Sequence, residues 1–212
     1  MEQHRVRSRR IAVAVGAAAL TVALAAPVAL AGDPQTAVAR PASDAAQAET
    51  AAVSYPYAPW LTDEAFYLKM FNCTRTGGWV QSNGSCSGYG SGKYSAYVRP
   101  LTRSPGISDR ATRPYAKLLA IKSLCGHYYD GDTRSRLLGA GFSGSAWGEN
   151  LACRTGMSTR GTVIWAHRVF QSEKSSNGAH WKNIKNTRYT YIGIGVWKYG
   201  DRVRLVTDFY RP

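Results

Sequence analysis

Residues 191–209, YIGIGVWKYGDRVRLVTDF, decide the fold of this chain. The stretch 191–197 alternates in the manner of a β-strand, residues 202–209 predict its partner, and Tyr199-Gly200-Asp201 supplies the turn between them. In the second strand, alternation puts Val203 and Leu205 on one face and the neighbouring arginines on the other. We therefore expect an antiparallel β-hairpin at this end of the chain.

The segments before this hairpin are mostly helical in pattern. Apolar residues recur at helical spacing in 61–72, 114–128 and 159–173, where Val163, Ala166 and Phe170 mark one face of the last segment. Between the first two lies a Gly-rich loop, residues 74–100, without periodic apolar residues. Because helices and strands do not alternate regularly, an α+β layered fold is favoured over a parallel doubly wound sheet.

The first 31 residues have the three parts of a secretory signal peptide. Four arginines precede an apolar run from Ile11 to Leu24, and Ala29-Leu30-Ala31 is a small-x-small cleavage pattern. The apolar run is short for a membrane span, which favours a cleaved leader over a signal anchor. We therefore predict a secreted chain, with the leader 1–31 removed and no transmembrane segment in the mature protein.

Residues 32–60 are predicted to be a flexible spacer, and residues 61–212 a single domain. The spacer is rich in Ala, Thr, Gln, Ser and Pro and has no apolar periodicity. The remaining length is within the usual range for one domain with a core of its own.

The chain is strongly basic, with 27 Lys and Arg against 13 Asp and Glu. Removal of the leader takes four arginines and one glutamate and leaves a net charge of about +11. Such a charge attracts anionic surfaces, among them membranes, acidic cell-surface polymers and nucleic acids. The basic residues are scattered rather than clustered, so nucleic acid is not an expected partner.

Four cysteines are present: Cys73, Cys86, Cys125 and Cys153. In an oxidising compartment an even number predicts two disulfides, for which three connectivities exist. We favour Cys73–Cys86, which closes a short Gly/Ser-rich loop, together with Cys125–Cys153. A zinc–cysteine site is the competing interpretation, but the chain has no C-x-x-C pair.

Four titratable residues are candidates for chemistry: His127, Glu149, Glu173 and His180. None lies in an obvious apolar stripe. His167, by contrast, lies within the third predicted helix and is expected to be a core or partly buried histidine. Taken singly, each of the four could equally be a surface turn residue or a capping residue.

Several short motifs around these residues resemble the CAP superfamily, which comprises cysteine-rich secretory proteins, antigen 5 and pathogenesis-related proteins. The stretch 148–152, Gly-Glu-Asn-Leu-Ala, looks like the family signature G-E-N-[IVL]-A. The other resemblances follow in family order: Cys125-Gly126-His127, Phe170-Gln171-Ser172-Glu173 for W-x-S-E, Gly178-Ala179-His180 with Asn183-Ile184 for G-H-R-x-N-I, Ile192–Val196 for I-G-V-G, and Thr207-Asp208-Phe209 for T-Q-x-F. Order and spacing agree from about residue 61 to 212, and the resemblance is to bacterial members.

The chain departs from the family pattern at a few positions. Phe170 stands where the family has Trp, Trp181 stands where it has Arg, and the loop 74–100 is longer than in simple bacterial members and carries its own cysteine pair. These departures bear on the ligand rather than on the fold.

The resemblance implies a three-layer α-β-α sandwich with a central antiparallel sheet. It also implies one cleft in which His127 and His180 hold zinc or another divalent cation and Glu149 and Glu173 line the same site. Neutral imidazole nitrogens suit zinc, and a carboxylate can ligate it or orient a histidine. If the protein is an enzyme, the two glutamates are the expected catalytic residues, with one acting as a general base near bound water.

Three functions follow from these observations. The first is a secreted CAP-domain protein that binds a lipid, a glycan or another protein. The second is a metal-assisted hydrolase acting on peptide or ester bonds, and the third, ranked last because no nuclease motif is present, is a secreted nuclease. Whether the protein is an enzyme is left open by the sequence.

Overall fold

A computed structural model describes residues 58–212. The predicted leader 1–31 and the predicted spacer as far as residue 57 lie outside the described residues. Within residues 58–212 no helix is long and apolar enough to cross a membrane.

The centre of the domain is a four-stranded sheet in the order β3-β5-β6-β4. The strands are β3 (Thr102–Arg103), β4 (Ala146–Thr155), β5 (Tyr191–Tyr199) and β6 (Arg202–Arg211). β6 pairs antiparallel with both β4 and β5, so the predicted terminal hairpin is confirmed as the middle of the sheet. The short edge strand β3 pairs with β5 in parallel, a detail absent from the sequence pattern.

Helices cover both faces of this sheet. Val203, Leu205 and Phe209 of β6 belong to one apolar cluster, which they share with α1 (Leu61–Arg75), α5 (Thr159–Ser172) and α6 (Ala179–Lys185). On the opposite face, Val206 and Tyr210 pack with α3 (Arg113–Ile121) and α4 (Thr133–Gly139). The fold is therefore α+β, with the expected α-β-α layering.

The second predicted helix is shorter than the sequence pattern indicated. It is built from α2 (Pro105–Ile107), a π-helical segment (Ser108–Thr112) and α3, which ends at Ile121 rather than near residue 128. The chain turns at Ser123, whose φ is 56°, and then enters the disulfide between Cys125 and Cys153. The stretch 122–128 is thereby freed from the helix and brings His127 to the edge of the sheet.

The Gly-rich loop is folded. It contains a small antiparallel hairpin of β1 (Trp79–Val80) and β2 (Cys86–Ser87), and its disulfide joins Cys73 at the end of α1 to Cys86, with 5.9 Å between the Cα atoms. The favoured connectivity, Cys73–Cys86 with Cys125–Cys153, is confirmed.

His167 is a core residue, as expected. It is fully buried on α5, and its Nε2 lies 2.7 Å from the hydroxyl of Thr74. Burial lowers the pKa of His167 to about 3, because an imidazolium ion cannot be solvated there. Gln171 extends the same network to the backbone of Val80 in the β1 hairpin.

Candidate functional site

An open depression of about 470 Å³ lies where β4 begins, beside α4 and the segment that follows the Cys125–Cys153 disulfide. Both aromatic and polar side chains form its wall. The lining residues are His127, Tyr128, Asp132, Thr133, Arg134, Trp147, Gly148 and Glu149. Two of the four predicted site residues therefore share one concave surface.

His127 and Glu149 form a hydrogen-bonded pair in this depression. Nδ1 of His127 lies 2.5 Å from Oε1 of Glu149. The glutamate side chain is 3% exposed, whereas the histidine side chain is 42% exposed, so a buried carboxylate orients a partly exposed ring. The hydrogen bond that His127 donates to Glu149 raises the pKa of His127 and outweighs the opposing effect of its partial burial. Such a pair can hold a proton or present the other ring nitrogen to a ligand.

Arg136, which the sequence analysis missed, anchors this pair. Its guanidinium forms an ion pair with Oε2 of Glu149, donates to the carbonyls of His127 and Gly131 at 3.0 and 2.7 Å, and stacks 3.7 Å above the ring of Tyr115. The Arg136 side chain is 5% exposed, and the pair with Glu149 is therefore shielded from solvent. A single guanidinium thus fixes the carboxylate and the backbone of the segment that carries His127.

The position of Arg136 follows from a local helix signal. Asp132 is the N-cap of α4, and its Oδ1 accepts a hydrogen bond from the Ser135 amide at 2.7 Å. The cap starts α4 at Thr133 and so places Arg136 one turn later on the inner face of the helix. The Asp-Gly-Asp turn was recognised in the sequence, but the seven-residue helix that it starts was not.

A second carboxyl lies directly beneath Glu149. Asp208 is its partner in the register between β4 and β6, is fully buried, and accepts a hydrogen bond from the Thr112 hydroxyl at 2.8 Å. Its Oδ1 is 3.8 Å from Arg136 and forms no hydrogen bond within the described residues. Burial, reinforced by the charge of Glu149, raises the pKa of Asp208 well above its usual range. Arg136 therefore lies close to both carboxyl groups, and its single positive charge favours the state in which Glu149 and Asp208 together carry one negative charge.

The second predicted pair, His180 and Glu173, is built differently. Nδ1 of His180 lies 2.6 Å from Oε1 of Glu173, and Oε2 accepts hydrogen bonds from the amides of His180 and Trp181 at 2.9 and 3.4 Å. Burial by itself raises the pKa of Glu173, but these hydrogen bonds and the His180 charge more than offset it, so the pKa falls. Glu173 thus holds the first turn of α6.

One face of the His180 ring is covered by another aromatic ring. It stacks on Phe170 with 4.2 Å between ring centroids and an interplanar angle of 20°. Neither His180 nor Glu173 lines the depression at His127. The structure therefore arranges the four predicted residues as two His–Glu pairs.

Two asparagines link the two pairs. The Asn150 side chain donates to the His180 carbonyl at 3.2 Å, and Asn183 donates to the Glu149 carbonyl at 3.0 Å and to Asn150 Oδ1 at 2.8 Å. Because successive side chains of a strand point to opposite faces, Glu149 faces the α4 layer while Asn150 faces the α6 layer. The strand between the two pairs is thus fixed by side-chain amides.

The donor set does not form a zinc centre as arranged. Within residues 58–212 no three His, Cys, Asp or Glu side chains come together as ligands of one metal ion. Both oxygens of Glu149 and both of Glu173 are already engaged by protein groups. Catalytic zinc sites usually take three protein ligands and structural sites take four. Cation binding by His127 and His180 therefore stays a prediction.

No family model matches the sequence, and the search of curated proteins finds no match. Solved structures do match. One is an extracellular protein containing an SCP domain from Bacillus anthracis str. Ames, with 20% identity and a TM-score of 0.42, aligned over 54% of this chain and 35% of the other. The chain thus spans about a third of the length of that protein.

In two further matches, the alignment with this chain spans a larger share of the matched protein. NaASP2, whose structure was solved with Zn2+, is 14% identical with a TM-score of 0.46 over 69% of this chain and 78% of the other. Venom allergen-like protein 4 from Schistosoma mansoni is 15% identical with a TM-score of 0.39 over 71% and 86%. At identities of 20% or less and TM-scores below 0.5, these matches agree with the CAP resemblance and establish no metal, substrate or partner.

Proposed function

We propose that this protein is an extracellular binding protein whose ligand, a glycan, occupies the depression over His127 and Glu149. The observation that carries the proposal is a wall that combines two aromatic rings, Tyr128 and Trp147, with polar side chains. Lipid, glycan and protein ligands were all compatible with the sequence, and the wall of the depression favours a glycan.

The aromatic part of the wall is suited to sugar rings. Tyr128 is 78% exposed, and Trp147 is half-buried with the Arg134 guanidinium 5.1 Å from its ring centroid. Aromatic rings with a polar tip are the side chains that bind through an apolar face while keeping hydrogen bonds. Trp147 is also fixed in place, because Tyr189 donates to its carbonyl at 2.9 Å and Gly148 leaves room for the Tyr189 hydroxyl.

The polar part of the wall is suited to hydroxyl groups. Asp132 and Thr133 stand at the N-terminus of α4, and His127 is held by Glu149 with its remaining ring nitrogen available for a ligand. An acyl chain or a sterol needs an apolar, enclosed cavity, whereas this depression is open and carries charged groups.

An extracellular location agrees with the covalent structure. Both disulfides are of the kind that persists in oxidising compartments, and the described residues contain no free cysteine. The predicted leader 1–31 would deliver the chain there.

The test is binding of the mature protein to an immobilised panel of neutral and acidic oligosaccharides. We expect binding to be weakened about ten-fold or more by Tyr128→Ala and by His127→Gln, because each removes a contact worth at least ~1.4 kcal/mol at the centre of the site. Tyr97→Ala is the matched control, since Tyr97 is 54% exposed and lies in the Gly-rich loop. Equal binding by all three variants, or no binding to any oligosaccharide, would refute the proposal.

Zinc content is measured on the same preparations, purified without a chelator. One zinc per chain that is lost in a His127→Gln/His180→Gln double variant would support the predicted cation site. Glycan binding that is unchanged by a chelator would show that the binding function operates without it.

A hydrolase is the second candidate, because an imidazole oriented by a buried carboxylate is the arrangement of a general base. Hydrolysis of peptide or ester substrates that disappears in Glu149→Gln while the fold is unchanged would favour it. The depression at His127 has no feature that favours a nuclease over other hydrolases, and steep salt-dependent binding to nucleic acid would be needed to support that hypothesis.

A further inference from the structure

A second charged surface lies at the far end of the sheet from the depression. We call it the basic platform and define it by Lys117 on α3, Trp197 and Tyr199 on β5, and Arg202 and Arg204 on β6. Six residues of β4 separate Glu149 from Thr155 beside Arg202, which corresponds to about 20 Å along the strand. The two surfaces are therefore separate.

Strand register brings the platform residues onto one face. Arg204 is paired with Trp197 and Arg202 with Tyr199 across the β5–β6 hairpin. These are alternate positions of both strands, so the four side chains share a face. Lys117 reaches the same face from α3, with its Nζ 5.1 Å from the centroid of the Trp197 ring, and the Arg202 guanidinium lies 5.4 Å from that of Tyr199.

The cations of the platform have no carboxylate partner within residues 58–212. Asp201, in the hairpin turn, is the only acid next to them in sequence and forms no ion pair with them.

The two arginines of the platform are also partly or fully buried. Arg204 is 4% exposed and satisfied only by the carbonyls of Leu124, Arg154 and Val203, and its pKa is lowered by burial and then by the charge of Arg202. The Nε of Arg202 is buried and has no hydrogen-bond partner among the described residues. An anion seated on the platform would supply the missing counter-charge to the exposed parts of Lys117 and Arg202.

We propose that the basic platform binds an acidic polysaccharide, with carboxylate or sulfate groups at Lys117 and Arg202 and a sugar ring against Tyr199. The exposed edge of the platform suits a polymer, because Tyr199 is 51% exposed and Lys117 reaches solvent. The predicted export of the chain places it among acidic glycans. This proposal stands independently of the glycan site at His127.

The probe is polygalacturonate, and its binding is measured by isothermal titration at 50 and 200 mM NaCl, with neutral dextran as the uncharged comparison. We expect Lys117→Gln/Arg202→Gln to weaken binding about ten-fold or more at the lower salt and to flatten the salt dependence, because fewer counter-ions are released. Tyr199→Leu, which keeps all charges, is expected to weaken binding without changing the salt dependence.

The matched control is Lys69→Gln/Arg168→Gln, which removes the same charge from exposed residues of α1 and α5 on the other side of the sheet. Equal loss in both double variants would show a general effect of net charge and overturn the proposal. Tighter binding to single-stranded DNA or to phosphatidylglycerol vesicles than to polygalacturonate would overturn it as well. Oligosaccharide binding at the depression is expected to be unchanged by the platform variants, so failure of one proposal is distinguishable from failure of the other.

Discussion

Replacement of Arg136 by methionine tests the electrostatic account of the site most directly. The substitution keeps much of the side-chain volume but removes the guanidinium from Glu149, which stays buried beside Asp208 with its hydrogen bond to His127 as the remaining partner. Arg136 and Glu149 have side chains only 5% and 3% exposed, and loss of one partner of such a pair costs about 3–5 kcal/mol. In a domain of this size that corresponds to a fall in Tm of roughly 10 °C or more.

The assay is urea unfolding at pH 7, followed by tryptophan fluorescence, for the wild type, Arg136→Met, Glu149→Gln and the double variant. We expect the double variant to recover at least about 2 kcal/mol relative to the sum of the single losses, because no unpaired charge is then left buried. Arg134→Gln, on the exposed side of the same helix, should change the free energy of unfolding by less than about 0.5 kcal/mol. A loss below about 1 kcal/mol in Arg136→Met, with additive single effects, would refute the reasoning.

Three further predictions concern the rest of the domain. Replacing both Cys73 and Cys86 by serine opens a loop of 13-residue separation and should lower the free energy of unfolding by about 3 kcal/mol, measured against the wild type in urea; no change would argue that the hairpin is fixed without the bond. His167 has a folded pKa of about 3, below its unfolded value of about 6.5, so its contribution to stability is complete above pH 6.5 and is lost as pH falls toward 3. The loss is about 4–5 kcal/mol over that window, and it should be absent from the pH profile of His167→Gln; parallel profiles would contradict the burial argument. Gly178→Ala places a Cβ 2.4 Å from a carboxylate oxygen of Glu173 and should destabilise the protein by about 1–3 kcal/mol, whereas Gly139→Ala, in open space on a helix, should be neutral or stabilising; the reverse order would show that the α6 cap is dispensable.

Local sequence patterns predicted much of the secondary structure. The terminal hairpin, the start of α5 and the α+β class all depend on periodicities within about 15 residues, and such periodicities are fixed by backbone geometry. The patterns failed where the elements were short. The helix α4 was missed, because seven residues give too few turns to reveal a face. The second predicted helix was found, but its start at residue 105 and its end at Ile121 were not predicted.

The disulfides were predictable for a different reason. Cysteine number and the predicted compartment reduce the choice to three pairings, and the short Gly/Ser-rich loop favours one of them. The parallel pairing of β3 with β5 had no comparable signal, since two residues do not show a strand period.

The candidate site was also predicted only in part from the sequence. The sequence by itself determined which four His and Glu side chains have the chemistry for a site, because their types and motif order are written in the chain. Only the tertiary structure decided that Glu149 is shared between His127, Arg136 and the buried Asp208, while Glu173 caps a helix. The physical reason is that Glu149 and Asp208 are 59 positions apart in the chain and meet only through strand register. The burial that raises the pKa of Asp208 exists only after the helices have closed over the sheet.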